Sequence, residues 1–171
     1  DGRSLAVGAR NEASSSRGVG ANQPDNSAPG AGAVYLFRYT TAWAQEAYLK
    51  APNAEAGDYF GWTVGLSAAG DVLAVGAYRE SSASRVVNGD QTSNAASMAG
   101  AAYVYQRSAT GWAFDSYLKA DNGEAGDLFG WNLSLSDDGR TLAVGAIDED
   151  STSAASPAGN GSPTAGAVYV F

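Results

Sequence analysis

Residues 126–146 read GDLFGWNLSLSDDGRTLAVGA, and residues 57–77 carry nearly the same text, GDYFGWTVGLSAAGDVLAVGA. At an offset of 69 residues the two stretches agree at 13 of 21 positions, among them the Phe-Gly-Trp start and the Leu-Ala-Val-Gly-Ala end. A third, partial copy, DGRSLAVGA, occupies residues 1–9. Because self-similarity at a fixed spacing is typical of repeat architectures, the chain is predicted to repeat one structural unit.

Each copy has the pattern of a β-hairpin. In its first half, large apolar side chains alternate with small or polar ones at Phe60, Trp62, Val64 and Leu66. This period of two is that of a β-strand. The glycines between them leave the other face bare, so we expect a close neighbour to cover it. A turn through Gly70 then leads into a second predicted strand at residues 72–77.

The same series of apolar segments recurs along the whole chain and predicts ten short strands. They lie within residues 1–9, 33–37, 42–50, 60–66, 72–77, 101–105, 111–119, 129–146 (a hairpin of two strands) and 167–171. The predicted fold class is therefore all-β. Four short antiparallel strands in each repeat describe one blade of a β-propeller.

The strands, labelled A to D from the Phe-Gly strand, divide the chain into three units. Residues 1–57 hold B, C and D, residues 58–126 hold a complete blade, and residues 127–171 hold A, B and C. A closed propeller has about 4 to 8 blades, so this partial propeller of about 2.5 blades is expected to be a segment of a longer array.

Composition excludes several classes of function. The formal net charge is −8, with 10 basic and 18 acidic residues, which argues against a nucleic-acid partner because such binding needs clustered Lys and Arg. The chain has no Cys and no His, which removes thiolate metal sites and the usual general base at neutral pH. No run of 18 apolar residues is present, so membrane insertion is not predicted.

The repeat resembles the FG-GAP family, which is found in integrin α-subunit propellers and in many bacterial surface and secreted proteins. The matching residues are Phe60-Gly61 and Phe129-Gly130, followed by Gly8-Ala9, Gly76-Ala77 and Gly145-Ala146. The resemblance covers the whole chain and is strongest to bacterial multi-repeat members. It implies a β-propeller at the cell surface or outside the cell that acts in adhesion or ligand binding, not as an enzyme. The Pro expected after Gly-Ala is absent, which we interpret as affecting only how the loop leaves the strand.

The A to B turn departs from the integrin-type pattern, in which Asp-x-Asp/Asn-x-Asp-Gly supplies oxygens for Ca²⁺. Here the turns read LSAAGD and LSDDGR. Ca²⁺ requires six to eight oxygen ligands, and these turns offer one and two carboxylates. We therefore interpret Asp137 and Asp138 as parts of a tight turn. No cofactor is predicted with certainty. Ca²⁺ stays as an alternative, with Asp148, Asp150, Asp137 and Asp138 as candidate ligands.

Three long polar loops follow the Gly-Ala pairs, at residues 10–32, 78–100 and 147–166. The resemblance implies that they lie on the face that integrins use for ligands. Candidate ligand-binding residues are the acids and amides of these loops: Glu12, Asn22, Asp25, Asn26, Glu80, Asn88, Asp90, Asn94, Asp148, Glu149 and Asp150. The alternative is that the loops are solvated linkers. Glu12, Glu80 and Glu149 recur at one register, which favours a local structural role for them.

Two further sets of periodic residues have structural interpretations. Trp62 and Trp131 each follow the Phe-Gly pair, and a periodic Trp is typical of packing between blades more than of a sugar-stacking platform. Asp58 and Asp127 stand just before the Phe-Gly strands, where we expect them to accept hydrogen bonds from backbone amides.

The favoured function is a non-catalytic extracellular module whose loops bind a protein or a glycan. The runner-up is a structural repeat that assembles with further copies of itself into a fibre or surface layer. An enzyme acting on glycans is the third hypothesis. Consecutive acids such as Asp148, Glu149 and Asp150 diverge, whereas glycosidase carboxylates must face each other about 5 to 9 Å apart.

Overall fold

A computed structural model describes residues 1–151 and 161–171. It contains ten strands and, in these residues, no helix, which confirms the predicted all-β class. The strands are β1 Ser4–Ala9, β2 Ala33–Tyr39, β3 Trp43–Leu49, β4 Thr63–Leu66, β5 Val72–Ala77, β6 Ala101–Ser108, β7 Gly111–Leu118, β8 Phe129–Leu135, β9 Leu142–Ala146 and β10 Ala167–Val170. In these residues no helix is long and apolar enough to cross a membrane.

The strands form three antiparallel sheets, which we call blades 1, 2 and 3 in chain order. Blade 1 has the order β1-β2-β3, blade 2 has β4-β5-β6-β7, and blade 3 has β8-β9-β10. Blade 2 thus holds the complete predicted set A to D, with each strand paired to its sequence neighbour. The residue limits of the three units stay a prediction.

A β-bulge interrupts the pairing of the third and fourth strands at the same place in two blades. The register shifts between Leu36 and Phe37 in blade 1 and between Val104 and Tyr105 in blade 2. One residue of the outer strand is thereby left without a partner. The extra residue is Glu46 in blade 1 and Asp115 in blade 2.

The predicted strand at residues 60–66 begins only at Thr63, so its first part was predicted wrongly. Tyr59 and Gly61 have φ angles of 58° and 82°, in the left-handed region, away from the extended backbone of a regular strand. The Phe-Gly pair instead joins two blades. Phe60 forms a parallel bridge with Gly32, and its N–H donates to the carbonyl oxygen of Ala31 at 3.2 Å. Phe129 repeats this bridge with Gly100.

The core lies between neighbouring blades. Phe60 is fully buried, and its ring meets the rings of Tyr103 and Tyr105 at 5.3 and 6.1 Å between centroids. Phe129 repeats this arrangement with Tyr169 and Phe171 at 5.4 and 6.1 Å. Edge-on aromatic pairs of this kind each contribute about 0.5–1.5 kcal/mol beyond the burial of their area. The regular spacing of Phe60 and Phe129 along the chain therefore reflects one aromatic cluster at each junction.

Backbone contact between glycines closes each junction. A Cβ atom added at Gly8 would collide with the carbonyl oxygen of Gly61, and one added at Gly76 would collide with that of Gly130. The bare face of the Phe-Gly strand is covered as expected, because Gly65 lies against Leu133 of blade 3. The glycine of each Gly-Ala pair therefore lies against the glycine of the next blade's Phe-Gly pair, and this contact lets the two blades approach closely.

Candidate functional site

The loops at residues 10–32 and 78–100 fold back onto the outer strand of their own blade. In blade 1 the N–H of Gly20 donates to the carbonyl oxygen of Tyr48, and the N–H of Lys50 donates to that of Gly18, both at 2.9 Å. In blade 2 the N–H of Asn88 donates to the carbonyl oxygen of Tyr117, whose own N–H donates to Asn88 Oδ1. These loops are ordered extensions of the sheet, unlike the solvated linkers considered from the sequence.

Buried ion pairs fix the start of these loops. Lys119 follows the outer strand of blade 2, and its Nζ donates to Glu80 Oε2 at 3.0 Å and to the carbonyl oxygen of Ser82 at 2.8 Å. Both side chains of this pair are almost inaccessible, with 1% and 2% exposed. Lys50 and Glu12 form the matching pair in blade 1 at 2.7 Å. Burial lowers the pKa of each lysine, and the carboxylate beside it opposes that shift.

In blades 2 and 3, an asparagine from the connector that precedes the blade, residues 51–57 or 120–126, bonds to the loop glutamate. Asn53 Nδ2 donates to Glu80 Oε1 at 3.0 Å, and Asn53 Oδ1 accepts from the Tyr103 hydroxyl at 2.7 Å. In blade 3, Asn122 links Glu149 and Tyr169 in the same way, at 2.8 and 2.6 Å. The repeated glutamates therefore join one blade to the next, and the sequence predicted a local role for them without revealing this connection.

Other acids of the loops are held by short local hydrogen bonds. Asp25 Oδ2 accepts from the N–H and the hydroxyl of Ser15 at 2.6 and 2.7 Å, and from the Ser27 hydroxyl at 3.0 Å. The bonds from Ser15 lower the pKa of Asp25 to about 2. Asp90 accepts from Thr92 in a similar turn, which lowers its pKa.

The amides of the same loops have separate surroundings. Asn22 contributes its carbonyl oxygen to the Ser14 hydroxyl at 2.7 Å, and Asn26 Nδ2 donates to the carbonyl oxygen of Pro24 at 3.3 Å. Asn94 reaches across the junction, where its Nδ2 donates to Glu55 Oε2 at 2.7 Å. Of the candidate residues that the sequence predicts, Asn94 is the one that helps to line a pocket between blades 1 and 2.

We call this space the junction pocket. It has a volume of about 320 Å³ and is lined by residues of the blade 1 connector and of the blade 2 loop: Glu55, Ala56, Gly57, Asp58, Arg79, Ser81, Asn94, Ser97 and Met98. The Arg79 guanidinium lies over the Tyr59 ring, 5.1 Å from its centroid. The lining thus combines a guanidinium, an amide, hydroxyls and two carboxyl groups beside an aromatic ring.

Asp58 is the buried acid of the pocket. Its Oδ2 accepts a hydrogen bond from the N–H of Glu55 at 2.8 Å, as expected for a carboxylate that caps the entry to the Phe-Gly segment. Burial raises the pKa of Asp58 to about 7, although the bond from Glu55 opposes the shift. Asp127 is its equivalent. It accepts from the N–H of Glu124 at 2.6 Å, and burial raises its pKa to about 6.

Three aromatic rings, those of Trp62, Tyr78 and Trp131, form a cluster across the junction of blades 2 and 3. Their centroids are 4.7 to 4.9 Å apart in all three pairs. The Arg10 guanidinium lies over the Trp62 ring, 4.5 Å from its centroid. Trp62 and Trp131 belong to different blades, which confirms their predicted role in packing between blades.

Arg10, Tyr78 and Arg79 were missed as site residues. The signal was present in the sequence, because Arg10 and Tyr78 stand where the family pattern has Pro after Gly-Ala. The interpretation that this departure affects only the exit of the loop is therefore incomplete. In the structure it places a cation and an aromatic ring against the next blade's tryptophan.

The junction between blades 2 and 3 carries acids in place of these groups. Asp148 stands at the position of Arg79 and Asp150 at that of Ser81. The N–H of Asp148 donates to the carbonyl oxygen of Asp127 at 3.4 Å, and the carbonyl oxygen of Asp150 accepts from Ser162 at 3.2 Å. Residues 152–160 of the third loop lie outside the described residues.

The remaining metal candidates lie in the A to B turn of blade 3. Asp138 Oδ1 accepts from the Ser136 hydroxyl at 2.6 Å and from the N–H of Arg140 at 3.1 Å, which lowers the pKa of Asp138. Asp137 offers its carbonyl oxygen to the N–H of Ala68 in blade 2. Within residues 1–151 and 161–171, no three His, Cys, Asp or Glu side chains converge as a metal site. A bound Ca²⁺ stays a hypothesis.

Comparison with known families agrees with this architecture. The profile of the FG-GAP repeat matches residues 43–105 and 112–171, which together cover more than half of the chain. No curated protein is significantly similar to it. The matched segments include both Phe-Gly pairs and the outer strands that carry the buried lysines. The chain therefore belongs to the FG-GAP repeat family, whose repeats are blades of β-propellers and are typical of extracellular proteins.

Proposed function

We propose that the chain is a non-catalytic extracellular binding module and that its junction pocket holds a neutral glycan. The pocket carries the proposal because its lining offers both hydrogen-bond donors and acceptors, among them Arg79, Asn94 and Glu55. Sugar hydroxyls both donate and accept hydrogen bonds, so they match such a lining.

The charge of the pocket favours a neutral ligand over an ionic one. Arg79 supplies one positive charge and Glu55 one negative charge, and Asp58 has a pKa of about 7, so it is partly protonated at neutral pH. A strongly anionic or cationic ligand would leave one of these groups uncompensated. A polyhydroxyl ligand can accept from Arg79 and Asn94 and donate to the carboxyl groups.

The loop that borders the pocket is preorganised. Asn53 and Lys119 hold Glu80 at the start of the blade 2 loop, and the carbonyl oxygen of Gln91 accepts from Asn53 at 3.2 Å. A ligand therefore meets side chains whose backbone is already ordered, which reduces the entropy lost on binding.

The raised pKa of Asp58 supports a structural role more than catalysis. Asp127 shows the same hydrogen bond and the same direction of shift in a junction that lacks Arg79. A feature that recurs in each connector belongs to the repeat, whereas a catalytic acid would be special to one site. We therefore infer that Asp58 shapes the pocket without transferring a proton to substrate.

The experiment screens the full chain against an array of neutral oligosaccharides and measures the hits by calorimetry. Arg79→Asp, which copies the residue of blade 3, is expected to weaken binding at least 10-fold. Arg79→Asn, which copies Asn11 of blade 1, and Asn94→Ala are expected to weaken it about 3- to 10-fold. The matched control is Arg17→Asn, in the exposed part of the blade 1 loop, and it should change the Kd less than 2-fold.

Two results would count against the proposal. One is a folded chain that binds no neutral oligosaccharide on the array. The other is binding that Arg79→Asp and Asn94→Ala leave unchanged, which would move the ligand to another surface. Release of free sugar from a bound glycan, abolished by Asp58→Asn, would show an enzyme.

A further inference from the structure

Four buried side chains meet where the connector of residues 51–57 reaches blade 2. Glu80 lies at the centre, where its Oε2 accepts from Lys119 Nζ and its Oε1 accepts from Asn53 Nδ2, both at 3.0 Å. The hydroxyl of Tyr103 donates to Asn53 Oδ1 at 2.7 Å. None of the four residues is more than 9% exposed. An amine and a carboxamide are thus held against one carboxylate, away from water.

The Lys119 amine is the nucleophile of this group. An ammonium has no free electron pair, so it must first lose a proton. Burial lowers the pKa of Lys119, although Glu80 opposes that shift, and the Glu80 carboxylate lies at hydrogen-bond distance to take the proton. Proton transfer inside this buried ion pair leaves an amine and a carboxylic acid, two neutral groups whose burial costs less than that of two ions.

The Asn53 carboxamide is the electrophile. Its Oδ1 accepts from the Tyr103 hydroxyl, a donor placed where negative charge develops when Cγ is attacked. Its Nδ2 donates to Glu80 Oε1 and to the carbonyl oxygen of Gln91 at 3.2 Å. The nitrogen that has to leave therefore lies beside the carboxyl group that can protonate it. Holding both reactants against one carboxylate raises their effective concentration.

We propose that Lys119 and Asn53 form an intramolecular isopeptide bond, with Glu80 as the proton carrier. Nζ passes one proton to Glu80 and attacks Cγ of Asn53, and the electron pair of the carbonyl moves onto Oδ1. Glu80 then protonates Nδ2, the Cγ–Nδ2 bond breaks, ammonia leaves and the carbonyl forms again. Nζ gives its second proton to Glu80. The products are one secondary amide, one ammonia and a carboxylic acid in place of the ion pair.

The bond fastens blade 2 to the connector that precedes it. It closes a loop from residue 53 to residue 119, which restricts the unfolded chain as a disulfide does. The sequence contains no Cys, so the chain forms no disulfide for this purpose. The reaction takes place once in each chain and needs no other reactant, and the ion pair of Lys119 and Glu80 is the state that precedes it.

Intact-mass spectrometry of the full chain under denaturing conditions tests the bond. After overnight incubation at neutral pH, we expect the chain to be lighter than its sequence by the mass of one ammonia molecule. A proteolytic map should then contain one branched peptide in which Asn53 is joined to Lys119. The map is needed because an Asn-Gly sequence such as Asn122-Gly123 also loses ammonia by forming a succinimide, and that change creates no branch.

Three variants assign the roles. Lys119→Arg keeps a cation beside Glu80 without an amine, and Glu80→Gln keeps the shape of the side chain without a carboxyl group. Both are expected to show the full mass of their sequences and no branched peptide. Tyr103→Phe removes the donor to Asn53 and is expected to slow the appearance of the branched peptide at least about 10-fold, in a time course started by cell-free synthesis.

The matched control is Lys50→Arg, which makes the same change at the ion pair of blade 1 and should still yield the branched peptide. Two results with the native chain would overturn the proposal, whether or not a variant folds. One is a chain that unfolds cooperatively in urea but has the full mass of its sequence. The other is a loss of ammonia without the branched peptide. A branched peptide that forms in Glu80→Gln as fast as in the native chain would overturn the role given to Glu80.

Discussion

The junction between blades 1 and 2 and the junction between blades 2 and 3 share their buried contacts but differ in the residues that follow Gly-Ala. Both use a Phe-Gly pair against a glycine of the preceding blade, and both link a buried glutamate to a tyrosine through an asparagine. They differ just after Gly-Ala, where the first junction has Arg79 and the second has Asp148. The residue that holds a cation over an aromatic ring is thus replaced by an acid whose N–H donates to the carbonyl oxygen of Asp127.

This difference separates what the repeat needs for packing from what it presents to solvent. The shared residues are buried and touch the neighbouring blade. The varied residues line the pocket at the junction, so we infer that they set the ligand of each junction. Selectivity then depends on one or two positions after each Gly-Ala more than on the whole length of the polar loops.

The largest expected effect tests the shared part of the comparison. Gly130→Ala adds a Cβ that collides with the carbonyl oxygen of Ala101 at a φ of 87°, and Gly61→Ala does the same to Ala33. We expect each to reduce the free energy of unfolding by at least about 3–5 kcal/mol or to prevent folding. Urea denaturation followed by tryptophan fluorescence measures the loss.

The matched control is Gly126→Ala, at a φ of 95° with no atom within 4 Å of the added Cβ. It carries the backbone strain without the collision and should cost about 1–2 kcal/mol. Equal losses for Gly130→Ala and Gly126→Ala would show that the close approach between blades is not what the glycine serves.

The second expected effect compares the two buried ion pairs. Lys119→Met leaves the Glu80 carboxylate buried without its ammonium, and we expect a loss of about 3–5 kcal/mol in the free energy of unfolding. Lys50→Met should cost less, since the Glu12 side chain is 10% exposed against 2% for Glu80.

A second change identifies the cause of that loss. Adding Glu80→Met to Lys119→Met removes the unpaired charge and should recover part of the stability, because an apolar pair of similar size is often tolerated. Denaturation curves of the two variants make the comparison. A loss below about 1 kcal/mol for Lys119→Met would mean that Asn53 and Ser82 suffice to compensate Glu80.

The third and smallest expected effect is a pH dependence that differs between the junctions. Burial raises the pKa of Asp58 to about 7 and that of Asp127 to about 6, from 3.8. The folded chain therefore holds these protons more tightly than the unfolded chain. Their contribution to stability is complete below pH 3.8 and is lost as the pH rises through the folded pKa.

Replacement by asparagine removes this dependence. Between pH 4 and pH 8 the native chain should lose up to about 4 kcal/mol relative to Asp58→Asn, and up to about 3 kcal/mol relative to Asp127→Asn. Asparagine keeps an oxygen for the N–H of Glu55 or Glu124. The measurement is urea denaturation at pH 4.5, 6 and 8, and parallel pH profiles for Asp58→Asn and the native chain would refute the assignment.

Much of the fold was predictable because the repeat presents each pattern two or three times. Alternation gave the ten strands, and the paired glycines predicted a close neighbour before the neighbour was known. The start of the Phe-Gly strand was predicted wrongly in blade 2, where β4 begins at Thr63, whereas β8 begins at Phe129 as predicted. The sequence does not distinguish the two copies, because both have a positive φ angle at the glycine of the Phe-Gly pair.

The candidate site was less accessible from the sequence, since it is assembled from two blades. Asn94 and Glu55 are 39 residues apart, and no local pattern shows that they bond. The sequence does not distinguish the acids of the loops from one another. In the structure, Glu80 is buried against a lysine, whereas Asp25 accepts hydrogen bonds from serines at the surface. Burial, which separates these roles, depends on contacts between distant residues.

The bond between each connector asparagine and the next blade's glutamate gives the array a direction. Asn53 precedes Glu80 and Asn122 precedes Glu149, so blades 2 and 3 are each bonded to a residue that is synthesised before them. When the chain emerges with its N-terminus first, from the ribosome or through a secretion pore, each of these asparagines has already emerged before the glutamate that it bonds. A duplicated repeat inherits both halves of this contact, so the number of blades can grow by whole units without leaving a glutamate without its asparagine at the new junction.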